Sequence, residues 1–261
     1  MCSAADETKF MLRNAGMVAI SAMMLACLCT RPVVAQSLTD VDGDGLPDSW
    51  ETQVFHTDPA SKDTDKDGFD ELTEIKQGFN PHGKGKVSFG DYDSDGLSDR
   101  LEIMFGTDPT NRDSDGDGYL DGQEVAAGFN PASADKQPLA KKIVIRLKAQ
   151  ELDQVLGGVV LASFKVSTGR AGYATPTGEY KIMNKNPRAW SNHAKLWMPW
   201  WMQFSPKGLG IHELPEWPNG RKEGEKDLGI PASGGCVRLG VGPAKAMYAW
   251  TPIGTPVSIV R

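Results

Sequence analysis

The stretch ASGGCVRLG, residues 232–240, carries the cysteine that decides how the second half of this chain is interpreted. Cys236 follows two glycines and precedes a valine and an arginine, whereas the three other cysteines all lie before residue 30. If that N-terminal segment is cleaved after export, Cys236 has no cysteine to pair with in its own chain. A lone cysteine in an oxidising compartment is an intermolecular link, an inert buried thiol or a reactive nucleophile, and its neighbours decide between these fates.

The first 36 residues have the pattern of a targeting segment. Lys9 and Arg13 precede the apolar run AGMVAISAMMLACLC, which is too short to span a membrane comfortably, and PVVAQ then offers small residues for cleavage near Gln36. We therefore expect residues 1–36 to be a signal peptide and the mature protein to lie in the periplasm or elsewhere in the cell envelope, with no membrane span. An uncleaved membrane anchor and a lipidated cysteine are the alternatives.

Length and charge restrict the function classes. The length of 261 residues suggests one or two domains, and a hydrophobic content of 39% is enough for a packed core. The net charge is −6, and most aspartates fall between residues 40 and 121. Because a phosphate backbone repels carboxylates, this half is not expected to bind nucleic acid.

Four segments in the acidic half share the template D-x-D-x-D-G-x5-E. Ca²⁺ prefers six to eight oxygen ligands, and alternate residues of a tight turn direct carboxylates at one centre. Glycine at position 6 permits the turn, and glutamate at position 12 can close the shell with both oxygens. The predicted calcium ligands are Asp40, Asp42, Asp44, Asp48, Glu51, Asp63, Asp65, Asp67, Glu71, Glu74, Asp91, Asp93, Asp95, Asp99, Glu102, Asp113, Asp115, Asp117, Asp121 and Glu124.

The loops form a pair that occurs twice, because TDP recurs at 57–59 and 107–109 and GFNP at 78–81 and 128–131. The stretches between loops are too short for the flanking helices of EF-hands. Residues 37–131 therefore resemble thrombospondin type 3-like calcium-binding repeats, which implies a compact spacer, or stalk, stiffened by structural Ca²⁺. An acidic disordered segment is the alternative. Residues 132–141 have the composition of a linker.

The second half has a different pattern. KIVIRL, GGVVLASFKVSTG, GEYKIM and PVSIVR are short β-rich runs bounded by glycine or proline, and PAKAMYAW has Pro243 at a first-turn position of a helix. The chain is therefore predicted to be mainly β, with a β-sandwich or barrel over residues 142–261 that follows a calcium-loop region with short helices.

The neighbours of Cys236 favour a nucleophile. A thiolate needs a base, and His212 in GLGIHELP lies 24 residues upstream. Gly234 and Gly235 leave backbone N–H groups unobstructed, which suits an oxyanion hole at the Cys236 turn. Arg238 projects from the same face as Cys236 if this segment is a strand, and a fixed guanidinium there suits a substrate carboxylate.

These residues resemble the L,D-transpeptidase catalytic domain, also called the YkuD domain. The family signature is a histidine followed, after a spacer, by [S/T]-H-G-C, a hydrophobic residue and usually Arg or Asn. His212 matches the upstream base, and Ser233, Gly235, Cys236 and Arg238 match the second part. TPTGEY at 175–180 and the final GTPVSIV resemble further family segments. The sequence departs from the family in Gly234, which replaces a histidine, and in the charged insert NGRKEGEKD.

The resemblance implies a cysteine acyltransferase that needs no catalytic cofactor and acts on peptidoglycan stem peptides through a Cys236 thioester. Its product is a 3→3 cross-link, or an anchored protein if a cell-envelope protein is the acceptor. An L,D-carboxypeptidase and a non-catalytic wall-binding module with a decayed site are the alternatives. Trp197, Trp200 and Trp201 are candidates either for the core or for the lining of a substrate cleft.

Overall fold

The computed structural model describes residues 38–261. The predicted signal peptide therefore lies outside the described residues. Within residues 38–261, no helix has both the length and the apolar character that crossing a membrane requires.

The acidic half consists of four loops, each of which leads into a short helix that starts at position 9 of its loop. A carboxylate in the first turn suits the positive end of the helix dipole, and α2, α3 and α4 each end at a left-handed glycine. The short helices expected from the sequence are thus confirmed. The elements are α1 (Asp48–Trp50) with a π-helical turn (Glu51–Phe55), α2 (Glu71–Gln77), the hairpin β1 (Phe79–Asn80) and β2 (Gly83–Lys86), α3 (Asp99–Phe105) and α4 (Asp121–Ala127).

The second half is built on one nine-stranded sheet, so the mainly-β prediction is confirmed. The strand order is β6-β11-β3-β4-β5-β10-β9-β8-β7, in which β11–β3 and β10–β9 are parallel pairs and the others are antiparallel. The elements are β3 (Lys141–Arg146), β4 (Glu151–Leu156), β5 (Val159–Ser167), β6 (Gly178–Lys181), β7 (Asn184–Ser191), β8 (Leu196–Gln203), β9 (Gly210–Glu213), a 3₁₀ turn (Glu225–Asp227), β10 (Val237–Leu239), α5 (Pro243–Trp250) and β11 (Pro256–Val260).

The main hydrophobic core lies between this sheet and α5. Ala244 and Met247 of the helix pack with Ile143, Met202 and Ile211 of the strands, and all five are at most 1% exposed. Because apolar burial is the main favourable term in folding, this core fixes the position of β9, the strand that carries His212.

The predicted linker folds back on the second loop pair. Leu139 N–H donates to the Gly128 carbonyl at 2.8 Å, and Phe129 and Pro138 form an isolated β-bridge. The Lys136 ammonium lies 3.7 Å from the centroid of the Tyr119 ring. Residues 129–139 are therefore ordered on the repeat, and β3 begins directly after them.

The second loop pair packs against the second half of the chain. Leu97 and Val125 of the repeats form one buried cluster with Leu156 of β4, and Leu161 and Trp250 pack against it. The sequence predicted a separate spacer. The packing of the two halves was missed because periodicity within each half does not reveal contacts between them. In the structure these repeats instead cover apolar side chains of the sheet and of α5.

Removing the repeats should therefore destabilise the second half. Residues 142–261 alone would expose Leu156, Leu161 and Trp250, and burial of each such side chain contributes about 1.5–3 kcal/mol. We expect the melting temperature of residues 142–261 to lie at least about 5 °C below that of residues 38–261 in the same calcium-containing buffer.

A matched variant checks the cause of that difference. Leu156→Ala in residues 38–261 should lower the free energy of unfolding by about 2–5 kcal/mol, as measured by urea denaturation. Equal melting temperatures for residues 142–261 and residues 38–261 would show that the repeats are an independent spacer.

Candidate functional site

The parallel pair of β9 and β10 brings the predicted catalytic residues together. In its register Val237 lies opposite Ile211, and Arg238 lies opposite His212. Side chains of paired residues in neighbouring strands share a face, and so do residues two apart along a strand. Arg238 and His212 therefore belong to one face of the sheet. Cys236 lies in the turn directly before β10, where a backbone hydrogen bond from Gly210, the first residue of β9, reaches its thiol.

His212 is buried and neutral. It is 1% exposed, and burial lowers its pKa to about 4, with a smaller contribution from the positive charge of Arg238. Its Nδ1 makes a close hydrogen bond to the backbone carbonyl of Glu213. Because a carbonyl only accepts, Nδ1 carries the proton and Nε2 is the nitrogen that can accept one.

Trp201 covers the imidazole. The two rings stack with centroids 5.7 Å apart and an interplanar angle of 27°. A Cβ at Gly210 would lie 2.7 Å from the Trp201 ring, so glycine is required where β9 begins. Of the three tryptophans weighed as cleft or core residues, Trp201 lines the site. Trp200 packs on Tyr248, and Trp197 packs on Trp190.

Cys236 rests as a thiol. Burial raises its pKa above the ordinary value, and a backbone hydrogen bond from Gly210 and the charge of Arg238 oppose this increase. Among the described residues it is the free cysteine. If the two groups react with each other, a neutral thiol and a neutral imidazole require proton transfer to accompany nucleophilic attack.

Ser233 holds the turn that carries Cys236. Its Oγ donates to the Cys236 carbonyl at 2.5 Å and accepts from the Gly235 N–H at 3.1 Å. The Gly235 N–H predicted for the oxyanion hole is thus engaged inside the turn. Gly235 itself has φ +112°, a conformation that side chains rarely adopt.

The sequence analysis named the segment TPTGEY but did not predict that it supports this turn. Thr175 Oγ1 donates to the Gly235 carbonyl and accepts from the Gly169 N–H, both at 2.9 Å. Gly169 forms a parallel bridge with Ser233, and a Cβ at Gly169 would lie 2.0 Å from the Tyr173 carbonyl oxygen. Thr175, the first residue of TPTGEY, was the sequence feature that could have predicted this support, because its side chain binds the turn directly.

Arg238 is placed as predicted but is already partnered. Its Nη1 lies 3.7 Å from Asp227 Oδ2, and the side chain is 14% exposed. Asp227 belongs to the charged insert that lengthens the gap between His212 and Ser233. A substrate carboxylate at Arg238 would have to compete with this aspartate.

The insert is also fixed to the strand that carries His212. Lys222 Nζ lies 2.5 Å from Glu213 Oε1 and 2.9 Å from Glu216 Oε2. The Glu213 carboxylate is nearly buried, and a buried charge is costly without a partner. This ion pair therefore ties residues 217–232 to the residue whose carbonyl orients His212.

A groove of about 280 Å³ opens beside Cys236 on the β7–β8 side. Its lining includes Trp190, Met198, Trp201, Gly208 and Cys236. A larger groove of about 730 Å³ lies in the repeats beside Asp65 and Phe69, with no catalytic candidate in its lining. Of these two grooves, the smaller one contains the candidate nucleophile, Cys236.

Each acidic loop has the geometry of a cation site. The aspartates at positions 1, 3 and 5 bring one oxygen each within 4.8 Å of one another, and the glycine at position 6 has φ between 95° and 102°. The carboxylate at position 9 instead accepts from the backbone N–H at position 2, as Asp99 does from Tyr92 at 2.8 Å. Position 9 therefore shapes the loop.

The glutamates at position 12 test whether calcium fits. Glu51, Glu74, Glu102 and Glu124 are at most 6% exposed, and both carboxylate oxygens of Glu102 and Glu124 lack a hydrogen-bond partner among the described residues. Burial, reinforced by Asp93 and Asp95, raises the pKa of Glu102 to about 9. Buried carboxylates without a cation are unfavourable, so the residues present fit a divalent ion.

The two loops of each pair are electrostatically coupled. Glu71 of the second loop contributes to the raised pKa of Glu51 in the first, and Asp121 of the fourth contributes to that of Glu102 in the third. The Gly122 N–H also donates to Asp95 Oδ2 at 2.7 Å. A cation in one loop therefore alters the charge environment of its partner.

Known families match both halves. Residues 140–259 match the L,D-transpeptidase catalytic domain, and residues 40–62, 91–111 and 113–134 match the bacterial TSP3 repeat. Residues 140–259 are an L,D-transpeptidase catalytic domain. They belong to a family of enzymes, and the TSP3 repeats precede them, as the sequence predicted.

Individual relatives are more distant. YkuD of Bacillus subtilis (strain 168), named as a candidate L,D-transpeptidase, is 24% identical over 127 residues, which are 49% of this chain and 70% of the relative. The L,D-transpeptidase of Mycobacterium smegmatis is 19% identical with a TM-score of 0.43 over 48% of this chain, which spans 61% of that structure. An L,D-transpeptidase of Stackebrandtia nassauensis is 24% identical with a TM-score of 0.42 over 73% and 90% of the two chains.

The neutral resting pair predicts how Cys236 reacts with a small alkylating agent. The thiolate is the reactive form, and burial raises the pKa of this thiol above its ordinary value near 9. We expect the rate of iodoacetamide labelling at Cys236, followed by mass spectrometry, to keep rising with pH through pH 9 without reaching a plateau. A plateau already present at pH 7 would instead indicate a thiolate–imidazolium pair.

The third loop provides a test of cation binding. Glu102→Gln keeps the side-chain volume but removes the charge that closes the shell. We expect the number of Ca²⁺ ions bound, measured by isothermal titration calorimetry, to fall by one, and the melting temperature without Ca²⁺ not to fall. Glu225→Gln, an exposed position outside the loops, is the control and should match the wild type. An unchanged stoichiometry for Glu102→Gln would exclude this loop as a site.

Proposed function

We propose that the protein is an exported L,D-transpeptidase that forms a thioester between Cys236 and peptidoglycan stem peptides. The observation that supports the proposal is the parallel β9–β10 pair, in which β9 carries the buried His212 and β10 begins directly after the Cys236 turn, beside an aromatic groove. The family of residues 140–259 supports the substrate class.

The acylation step begins with the resting neutral pair. His212 Nε2 takes the thiol proton while Sγ attacks the carbonyl carbon between the diamino acid, third in the stem, and the terminal D-Ala. The oxyanion that forms is stabilised by the backbone N–H of Cys236, since the Gly235 N–H already donates to Ser233 Oγ. The C–N bond then breaks, its electron pair goes to nitrogen, and the His212 proton completes the amine of the released D-Ala.

The second step regenerates the thiol. An amine of another stem peptide attacks the thioester and gives up a proton to His212, the C–S bond breaks, and the proton returns to sulfur. The product is a 3→3 cross-link. Water as the acceptor would give a carboxypeptidase product, and the amine of a cell-envelope protein would give protein anchoring.

We further propose that the acidic loops hold structural Ca²⁺. The aspartates at positions 1, 3 and 5 and the glutamate at position 12 of each loop would be its ligands. A bound ion would neutralise carboxylates that otherwise repel one another. Because Val125 directly follows Glu124 and packs in the cluster with Leu156, calcium in the fourth loop would also stabilise the sheet.

Mass spectrometry tests the proposed reaction. We expect residues 38–261 incubated with a tetrapeptide stem fragment to release D-Ala and to gain the mass of the acyl tripeptide at Cys236. Cys236→Ala should show neither change. If the wild-type protein with a reduced thiol and Ca²⁺ also shows neither, the proposal is wrong, and binding of the fragment without turnover would point to a non-catalytic wall-binding module.

A further inference from the structure

Arg170 lies beside the Cys236 turn, in the loop that follows β5. Its backbone N–H donates to the Ser233 carbonyl at 3.0 Å, and its guanidinium carbon lies 4.5 Å from the centroid of the Tyr173 ring. Both side chains are exposed. The turn anchor and the ring contact together fix a solvent-facing cation next to the turn.

This guanidinium is available to a ligand. Across residues 38–261, Arg170 forms no ion pair within 4.0 Å, and its side-chain hydrogen bond to the Ser233 carbonyl is long, at 3.5 Å. Arg238 differs, because Asp227 lies 3.7 Å from it. A planar guanidinium presents five donors in a fork that matches a carboxylate.

The strand order places Arg170 and the aromatic groove on opposite sides of the nucleophile. The groove lies toward β8 and β7, whereas Arg170 follows β5, on the other side of β10. A peptide that crosses Cys236 would therefore lay its long part in the groove and its short end toward Arg170.

The turn that carries Cys236 is open to solvent at Gly234. Gly234 is exposed, and a Cβ added there would meet no atom within 4 Å. The glycine that replaces a histidine of the family signature thus leaves room for a substrate group. In a stem tetrapeptide the part beyond the scissile carbonyl is one residue, and it ends in a carboxylate.

We propose that Arg170 binds the terminal carboxylate of the leaving residue and is a specificity-determining residue for peptides with a free C-terminus. This inference rests on the proposed function. A bidentate guanidinium–carboxylate contact of this kind is strong and directional. Because the carboxylate is present in the ground state and in the transition state alike, the contact should lower KM more than it raises kcat.

Two peptides that differ only at the C-terminus test the proposal. One is the stem tetrapeptide with a free carboxylate, and the other is its C-terminal amide. We expect wild-type protein to prefer the free acid in kcat/KM by about tenfold or more. Arg170→Ala should abolish that preference through a higher KM for the acid and leave the amide unchanged. Arg170→Lys should restore part of the preference, and Lys245→Ala, which removes an exposed charge on α5, should behave as wild type.

The outcomes separate this proposal from the proposed function. An equal loss of kcat/KM on both peptides in Arg170→Ala would mean that Arg170 only supports the fold. No loss of kcat/KM on either peptide would mean that Arg170 does not touch the substrate. Each result overturns the inference, although the wild type still turns over the peptides. If the wild type releases nothing from either peptide, the proposed function has failed. Titration of both peptides into Cys236→Ala protein, with and without Arg170→Ala, then still tests the contact, and equal affinities for acid and amide would reject it.

Discussion

The candidate site depends on the burial of one imidazole. His212 is kept neutral because it is out of water, and the Glu213 carbonyl fixes its proton on Nδ1. Burial also raises the pKa of the Cys236 thiol, so both groups on which the proposed function relies are uncharged at rest. The parallel β9–β10 ladder, the Trp201 ring over the imidazole and the Glu213–Lys222 ion pair all serve to maintain that environment.

The acidic half also contains buried ionisable groups, but these are carboxylates arranged so that they could share a cation. Its glutamates at position 12 are nearly as inaccessible as His212. Without a cation, burial and neighbouring carboxylates raise the pKa of Glu102 to about 9, whereas a divalent cation would offset the cost of the ionised form. Because the second loop pair shares the cluster of Leu97, Val125 and Leu156 with the sheet, the two halves are not mechanically independent. The state of the loops is therefore linked to the stability of the catalytic domain.

The sequence was informative where residues act locally. The four loops follow a template whose physics is contained within twelve residues, and Pro243–Trp250 forms the helix that its pattern indicates. The same is true of His212 and Cys236, which motif spacing identified. Long-range partners were not predictable. Thr175 donates to the Gly235 carbonyl from sixty residues away in the sequence. Asp227 pairs with Arg238 from within an insert that has no periodic pattern from which its fold could be predicted. The packing of the repeats on the sheet was missed for the same reason.

The measurement that tests the account most directly is the ¹⁵N NMR spectrum of the His212 ring. At pH 7 in residues 38–261, we predict a neutral imidazole protonated at Nδ1, with Nε2 at the chemical shift of an unprotonated nitrogen, and no titration until the pH approaches about 4. His212→Gln identifies the resonance. An imidazolium at pH 7, or a proton on Nε2, would contradict the central claim that burial and the Glu213 carbonyl hold this base neutral and ready to accept the thiol proton.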